Sequence, residues 1–384
     1  MNGHKLKLGW EMAQFGDVAQ NIVERADPSH TDADIYVGLE HLDSDTPHLH
    51  RWGHPSDVIG EKLAFKKGDI IFGKRRAYQR KLAIAEFDGI CSAHAMVLRP
   101  RPERVWPDFF PFFLQSDVFM NRAIEISVGS LSPTINWGTL RDQEFALPPI
   151  EEQKRIAEIL WAADRSLEEY ARAKRELETL ENQMVTWFLG DSIRVNLGSL
   201  GTWVGGGTPS KVIRSYWTGE TPWASPKDMR SDELYDTEDH ISEEAVASSS
   251  TKVVPAGSVI VAVRTGILKH TFPVAVACRS MAINQDLKAL LPNNVFLPEF
   301  VAAYLRLQAP GILRACVKSG TTVESVDVNL FKKMTIPLPG KTVQEHFSRE
   351  NAELRRSSAT LSEHVLSIRA LMKSVIGAME GSRV

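Results

Sequence analysis

Between Pro149 and Gly190, apolar side chains return at alternating steps of four and three. The series runs Ile156, Leu160, Ala163, Leu167, Tyr170, Leu177, Met184 and Phe188, with Lys174 and Glu181 standing at two of its places. Beyond residue 339 the series recurs as Phe347, Leu354, Leu361, Val365, Ile368, Met372, Val375 and Met379, interrupted by Asn351 and Ser358. Other positions in both stretches are rich in Glu, Lys, Arg and Ser, which leaves one narrow apolar seam with a period of about 3.5 residues, the pattern of a coiled coil. It predicts long helices over 149–190 and 339–384, with Leu160, Leu167, Tyr170, Leu177, Leu354, Leu361, Val365 and Ile368 in the seam. Pro149 suits a helical first turn, where its missing N–H costs nothing, and Glu151 and Glu152 favour the positive end of the helix dipole. Gly190 stops the first helix. At 1.5 Å per residue, about 40 residues make a rod of roughly 60 Å. Two such seams in one chain are expected to pair antiparallel, the polar seam residues weakening the pairing and fixing its register. The alternative is that each helix packs along its own globular region.

The rest of the chain alternates short strand-like runs, such as "DIYVGL", "DIIFGK", "KLAIAEF" and "AHAMVL", with Gly, Pro and Asp breaks. It also repeats itself. "KKGDIIFGKRRAYQRKLAIAEFDGICSAHAMVLRP" is echoed by "PAGSVIVAVRTGILKHTFPVAVACRSMAINQDLKALLP", Gly68 matching Gly257 and Ile71 matching Ile260. Farther on, Pro107 matches Pro298, Phe109 matches Phe300, "SVGS" matches "KSGT", and Pro148 matches Pro337. Matches in one order at one offset of about 190 residues indicate a duplicated domain rather than a solenoid. An amphipathic helix is expected around Asp108–Ile124 and again around Glu299–Val317. The fold class that follows is α+β: similar globular regions at 1–148 and 191–338, and long helices at 149–190 and 339–384 forming an antiparallel coiled coil in a pseudo-two-fold repeat.

Composition changes this picture little. A chain of 384 residues with 43% hydrophobic and 24% charged residues is an ordinary globular protein of two or three domains. No apolar run approaches a membrane span, and the opening residues lack a secretory core. Three cysteines without a CxxC suggest a reducing cytoplasm. A net charge of −3 argues against a nucleic-acid-coating protein. Charge is nevertheless local: 11 Lys/Arg stand against 5 Asp/Glu between Glu61 and Arg104, and 2 against 9 between Glu220 and Glu244.

At the first helix junction, "LPPIEEQKRIAEIL" (147–160) resembles the point where the long helices begin in specificity (S) subunits of type I restriction–modification systems. "YVGLEHLDSD" (36–45), "GDIIFGKRR" (68–76), "GGTPSK" (206–211), "TPWASPKDM" (221–229) and "MAINQDLKAL" (281–290) resemble recurring segments of that family's target-recognition domains. The order of domain, helix, domain, helix covers essentially the whole chain. The second junction, "IPLPGKTVQEHF", departs from the family by placing "PGKT" where a Pro-Pro-acidic pattern is usual. The resemblance implies a DNA-reading adaptor without catalysis of its own. Each recognition domain would read one half of a split, asymmetric site in double-stranded DNA, while the helices set the spacer and dock two modification subunits. Those subunits would be methyltransferases binding S-adenosylmethionine, leaving no cofactor for this chain; restriction subunits would complete the complex.

The residue chemistry is compatible with that role. There is no GxxxxGK[ST] phosphate loop, no GxGxxG after a strand and no Asn-Pro-Pro-aromatic motif, so no catalytic residues are assigned. DNA readout needs cations for phosphates and planar groups for base edges. "GKRRAYQRK" offers Lys74, Arg75, Arg76, Arg80 and Lys81 with Tyr78 and Gln79 interleaved, and reads equally as a solvated basic hairpin. Its counterpart "AVRTGILKH" offers Arg264, Thr265, Lys269 and His270. "GGGTPSKVIRSYW" adds Thr208, Lys211 and Arg214, with glycines that allow close backbone approach, or is a plain loop. The hydroxyls of "SLSPTINW" and "GTTVES" suit phosphates or simple turns. His41, His48, His50 and His54 raise the question of zinc, but without cysteine partners or a helical i,i+4 pair no metal is assigned. The aromatic stretch "FFPFFLQSDVF" reads as core. Two other classes stay open: a self-contained DNA modification enzyme or nuclease, and a coiled-coil scaffold without nucleic acid.

Overall fold

Strands Val259–Ala262 and Val274–Ala277 are apolar and buried at every position, because both faces of their sheet are covered. Val259, Val261, Val274 and Val276 point into one cluster with Phe300, Val301 and Phe331, while Ile260, Ala262, Ala275 and Ala277 point into another with Met281 and Ile283. The same alternation separates Ile70, Phe72 and Leu98 from Ile71, Ala83 and Val97. Side chains two apart share a face, so a continuous apolar run is what a sandwiched strand requires. Each fully buried Val, Ile or Leu contributes about 1.5–3 kcal/mol.

The computed structural model describes residues 6–44, 46–318 and 323–379. It divides into two units, one holding the chain up to Ala171 and again from Glu363, the other holding Arg172–Ser362. Both have the same plan. In the first, an antiparallel sheet runs in the order Ala19–Ile22, Met96–Pro100, Ile70–Phe72, Leu82–Ile84. In the second, the order is Trp203–Gly205, Leu287–Leu290, Val259–Ala262, Val274–Ala277, with Glu233–Leu234 added at the edge. Registers agree: Ile70 faces Leu98 and Ile84 as Val259 faces Leu290 and Val276. A further sheet joins Lys62–Phe65, Gly89–Cys91 and Tyr36–Val37 in the first unit, and Lys252–Val254, Met281–Ile283 and Thr221–Ala224 in the second. In each, the first pair is antiparallel and the last parallel.

The helical layer departs from expectation. Instead of one helix around Asp108–Ile124 there are two, Phe110–Gln115 and Asp117–Glu125. At the break Ser116 adopts extended backbone, and its hydroxyl accepts the Phe119 N–H at 3.3 Å, capping the second helix. The second unit likewise has Pro298–Leu307 and Ala309–Cys316, where Pro310 fits a first turn better than a helix interior.

The long helices span Ile150–Leu189 and Lys341–Ala378. In the first unit Ile156 and Ala157 share a core with Ile376 and Met379, and the Tyr170 hydroxyl lies 3.3 Å from His364 Nδ1. In the second unit Phe188 meets Phe347 with ring centroids 6.2 Å apart, and Met184 shares its core with Leu354. Numbering rises along one helix as it falls along the other, so the pairing within each unit is antiparallel. Leu160 is fully buried, whereas Leu167, Tyr170, Leu177, Leu354, Leu361, Val365 and Ile368 are half-buried, as suits a two-helix seam open at its sides. Lys174 departs from its place in the series: it is exposed, its long stem allowing the ammonium to stay in water.

Candidate nucleic-acid interface

The basic hairpin of the first unit is a folded knot. Arg76 and Arg80 both adopt left-handed backbone, with φ of 57° and 54°, and flank a short helical turn at Ala77–Gln79 whose Ala77 is buried. Such conformations cost about 1–3 kcal/mol for non-glycine residues and persist where neighbours impose them. Here the Arg76 N–H donates to Pro133 O at 2.7 Å, Arg75 forms a β-bridge with Thr134, and Ile135 donates to Lys74 O. The "SLSPTINW" loop is therefore tied to the hairpin through its backbone.

Its cations divide by partner. Arg80 pairs with Asp117, and the Lys81 ammonium donates to Leu39 O at 2.8 Å. Arg76, with its Nε 3.4 Å from Ser132 Oγ, and Tyr78 are exposed, and Gln79 is half-buried. Arg75 reaches His94 Nε2 at 3.3 Å. Burial, followed by the charges of Arg75, Lys74 and Lys62, holds His94 below the ordinary histidine range, which leaves its ring neutral at pH 7. Lys74 is half-buried at a recess of about 290 Å³ that Asn21, Arg25, Lys62, Asn136 and Trp137 also line, and burial lowers its ammonium pKa.

In the second unit Arg264 bridges Ser325 as Arg75 bridges Thr134. The similarity of charge ends there. Arg264 Nε donates to Asp286 Oδ1 at 2.6 Å, and the Lys269 ammonium lies 3.6 Å from Glu324. Thr265 accepts the Ile267 N–H with its own hydroxyl, so the basic loop expected here is neutralised by carboxylates and capped locally, with only His270 exposed and outside an ion pair. Of the "GTTVES" hydroxyls, residues 320–322 lie outside the described residues.

The glycine-rich loop earns its glycines: a Cβ on Gly206 would stand 1.8 Å from Ile283 O. Thr208 Oγ1 donates to Gln285 Oε1 at 2.5 Å, which brings this loop to the turn carrying Asp286. Beyond it Lys211, 6.0 Å over the Trp217 ring, and Arg214 form an exposed tip with Val212. Sequence reading missed His94 and the Asn284–Gln285–Asp286 turn. "MAINQDLKAL" contained the latter's signal, an acid two residues after an asparagine, since the Asp286 N–H donates to Asn284 Oδ1 at 3.0 Å.

Three of the four histidines raised as metal ligands are held by groups of the protein. His41 Nδ1 accepts the Gly38 N–H, and His54 caps the turn at Pro55–Asp57. His48 sits between Asp164 of the first long helix, at 2.7 Å, and Glu86, at 2.9 Å. The hydrogen bond to Asp164, opposed by burial and aided by Glu86, raises the His48 pKa to about 9. The second unit has an analogous anchor: Arg355 of the second long helix grips Asp232 at 2.9 and 3.0 Å, and Arg306 joins at 3.1 Å.

A family model described as "Type I restriction modification DNA specificity domain" matches residues 59–179 and 191–348. The EcoR124I/EcoR124II specificity subunit of Escherichia coli is 36% identical over 173 residues, a match spanning 45% of this chain and 43% of that relative's length. The HindI specificity subunit of Haemophilus influenzae is 20% identical across 89% of this chain and 92% of its own length. Among solved structures, a type I restriction–modification S subunit from M. genitalium aligns over 100% of this chain and 98% of its own, with a TM-score of 0.61 and 12% identity. A chain from a study of type I restriction–modification complex assembly and conformational transition aligns over 100% of both, with a TM-score of 0.55 and 20% identity.

Proposed function

This chain belongs to the type I restriction–modification DNA specificity family, and from that premise we propose that it is the non-catalytic DNA-reading subunit of a modification and restriction complex. Each unit reads one half of a bipartite, asymmetric site in double-stranded DNA. The observation that carries this reading is the pair of equivalent bridges, Arg75–Thr134 and Arg264–Ser325, on sheets of the same register but with different surrounding side chains. One frame displaying two chemistries is what two unlike half-sites require. Arg75, Arg76, Tyr78 and Gln79 in the first unit, with Thr208, Lys211, Arg214 and His270 in the second, are the groups through which DNA is met. The paired helices set the spacer and dock two methyltransferase subunits, which supply S-adenosylmethionine chemistry; restriction subunits join the same assembly. Its place is the cytoplasm, where the DNA is; among the described residues no helix is long and apolar enough to cross a membrane.

Mapping methylated adenines in host DNA, with the gene present and deleted, tests the proposal. Methylation should vanish from one split, asymmetric motif and remain elsewhere. An unchanged methylation map would overturn it.

A further inference from the structure

We propose that the recess beside Lys74 in the first unit is a subsite for one backbone phosphate of duplex DNA. This deepens the DNA-reading role proposed above and rests on it.

The two units can be compared position by position. Phe72 faces Met96 as Val261 faces Lys288, so Lys74, Arg75 and His94 stand where the second unit has Val263, Arg264 and Asp286. The bridges to Thr134 and Ser325 fix the same correspondence independently. In the second unit these positions close on themselves: Val263 is 7% exposed in the core, and Asp286 holds Arg264. In the first, a neutral histidine replaces the carboxylate and an ammonium replaces the valine.

The Lys74 ammonium makes no hydrogen bond or ion pair among the described residues, although the residue is half-buried and its carbonyl accepts the Ile135 N–H. The neighbouring cations do not compete for a ligand equally. Lys62 donates to Ile59 O and Gly60 O at 2.5 and 2.8 Å, and Arg25 is taken by Glu61 at 2.7 Å. Glu61, the one carboxylate among the described residues that line the recess, is thus already paired. What remains is a cation in a partly dehydrated hollow, with Asn21 and Asn136 beside it as amide donors. Coulombic attraction strengthens as water is excluded, so an anionic oxygen gains more here than at an exposed lysine. The volume of about 290 Å³ admits a phosphodiester group, and the adjoining Arg75 extends the positive face outward.

The test measures binding of the full chain to a random-sequence duplex across a series of KCl concentrations. Losing one phosphate contact lowers the steepness of log K against log[salt] by about 0.9. Lys74→Gln should show that loss, and Lys74→Arg should retain the wild-type slope, which separates lost charge from misfolding. Asp286→Asn, which frees Arg264, should steepen the slope by a similar amount. An unchanged slope for Lys74→Gln overturns the proposal, as does weakening confined to one base sequence at constant slope, which would make Lys74 a reader of base edges. Should the wild-type chain bind no duplex at all, the DNA-reading role itself falls, a result distinct from the other two.

Discussion

Gln153 and Gln344 make the same three hydrogen bonds, one in each unit. Gln153 Oε1 accepts the Trp106 N–H at 2.7 Å, and its Nε2 donates to Pro148 O at 2.9 Å and Arg104 O at 3.4 Å. Gln344 accepts the Leu297 N–H at 2.7 Å and donates to Pro339 O at 2.8 Å and Val295 O at 3.4 Å. Both are 1% exposed. Each ties the first turn of a long helix to the segment leading into the helical layer of its own unit, whatever the surrounding junction sequence.

Replacing either glutamine by alanine leaves one N–H and two carbonyls without the partner it supplies. The cost should be about 1–3 kcal/mol for each, measured by urea unfolding. Destabilisation by Gln153→Ala alone would mean that the second clamp is ornamental.

The His48 anchor should make the first unit's stability depend on alkaline pH. Its pKa is raised from 6.5 to about 9, so its contribution is fully present below about 6.5 and is lost as pH rises through about 9. The facing groups are Asp164, Glu86, His50 and Trp161. Wild type should lose more stability than His48→Gln between pH 7 and 10, and an NMR titration should place the His48 midpoint near 9.

Leu160 and Asn351 occupy equivalent places on the two long helices and are 0% and 1% exposed. Asn351 Nδ2 has no hydrogen-bond partner among the described residues. Asn351→Leu should therefore stabilise the second unit by about 1 kcal/mol, read as a raised thermal midpoint. A lowered midpoint would show that the amide is needed for helix register.

Asp232 holds two arginines, Arg306 and Arg355. Burial already lowers the Arg306 pKa to about 10, so the cation depends on its carboxylate. Asp232→Asn should destabilise the second unit by about 2 kcal/mol, measured by urea unfolding at neutral pH. Arg355→Ala, which removes the more exposed partner, should cost less.

Inserting one heptad into each long helix adds about 10 Å, close to three base pairs. The methylated motif should keep both half-sites and gain about three base pairs between them. A change in half-site sequence would break the proposed division of labour.

The periodic features were legible from the chain alone: the seams of both long helices, the short strand-like runs and the duplication. Such patterns are local, imposed by turns of 3.6 residues and pleats of two, so neighbours along the chain suffice to reveal them. The break at Ser116 escaped because one serine can either continue a helix or cap the next. Only the folded structure decided which charges meet. "GKRRAYQRK" and "AVRTGILKH" look like equal offers of cations, yet Asp286 and Glu324 neutralise the second while His94 leaves Arg75 without a carboxylate. Likewise His48 finds Asp164, far along the chain. Ion pairing falls steeply with distance, and that distance is set by which strands and helices pack together, a property no window of sequence contains.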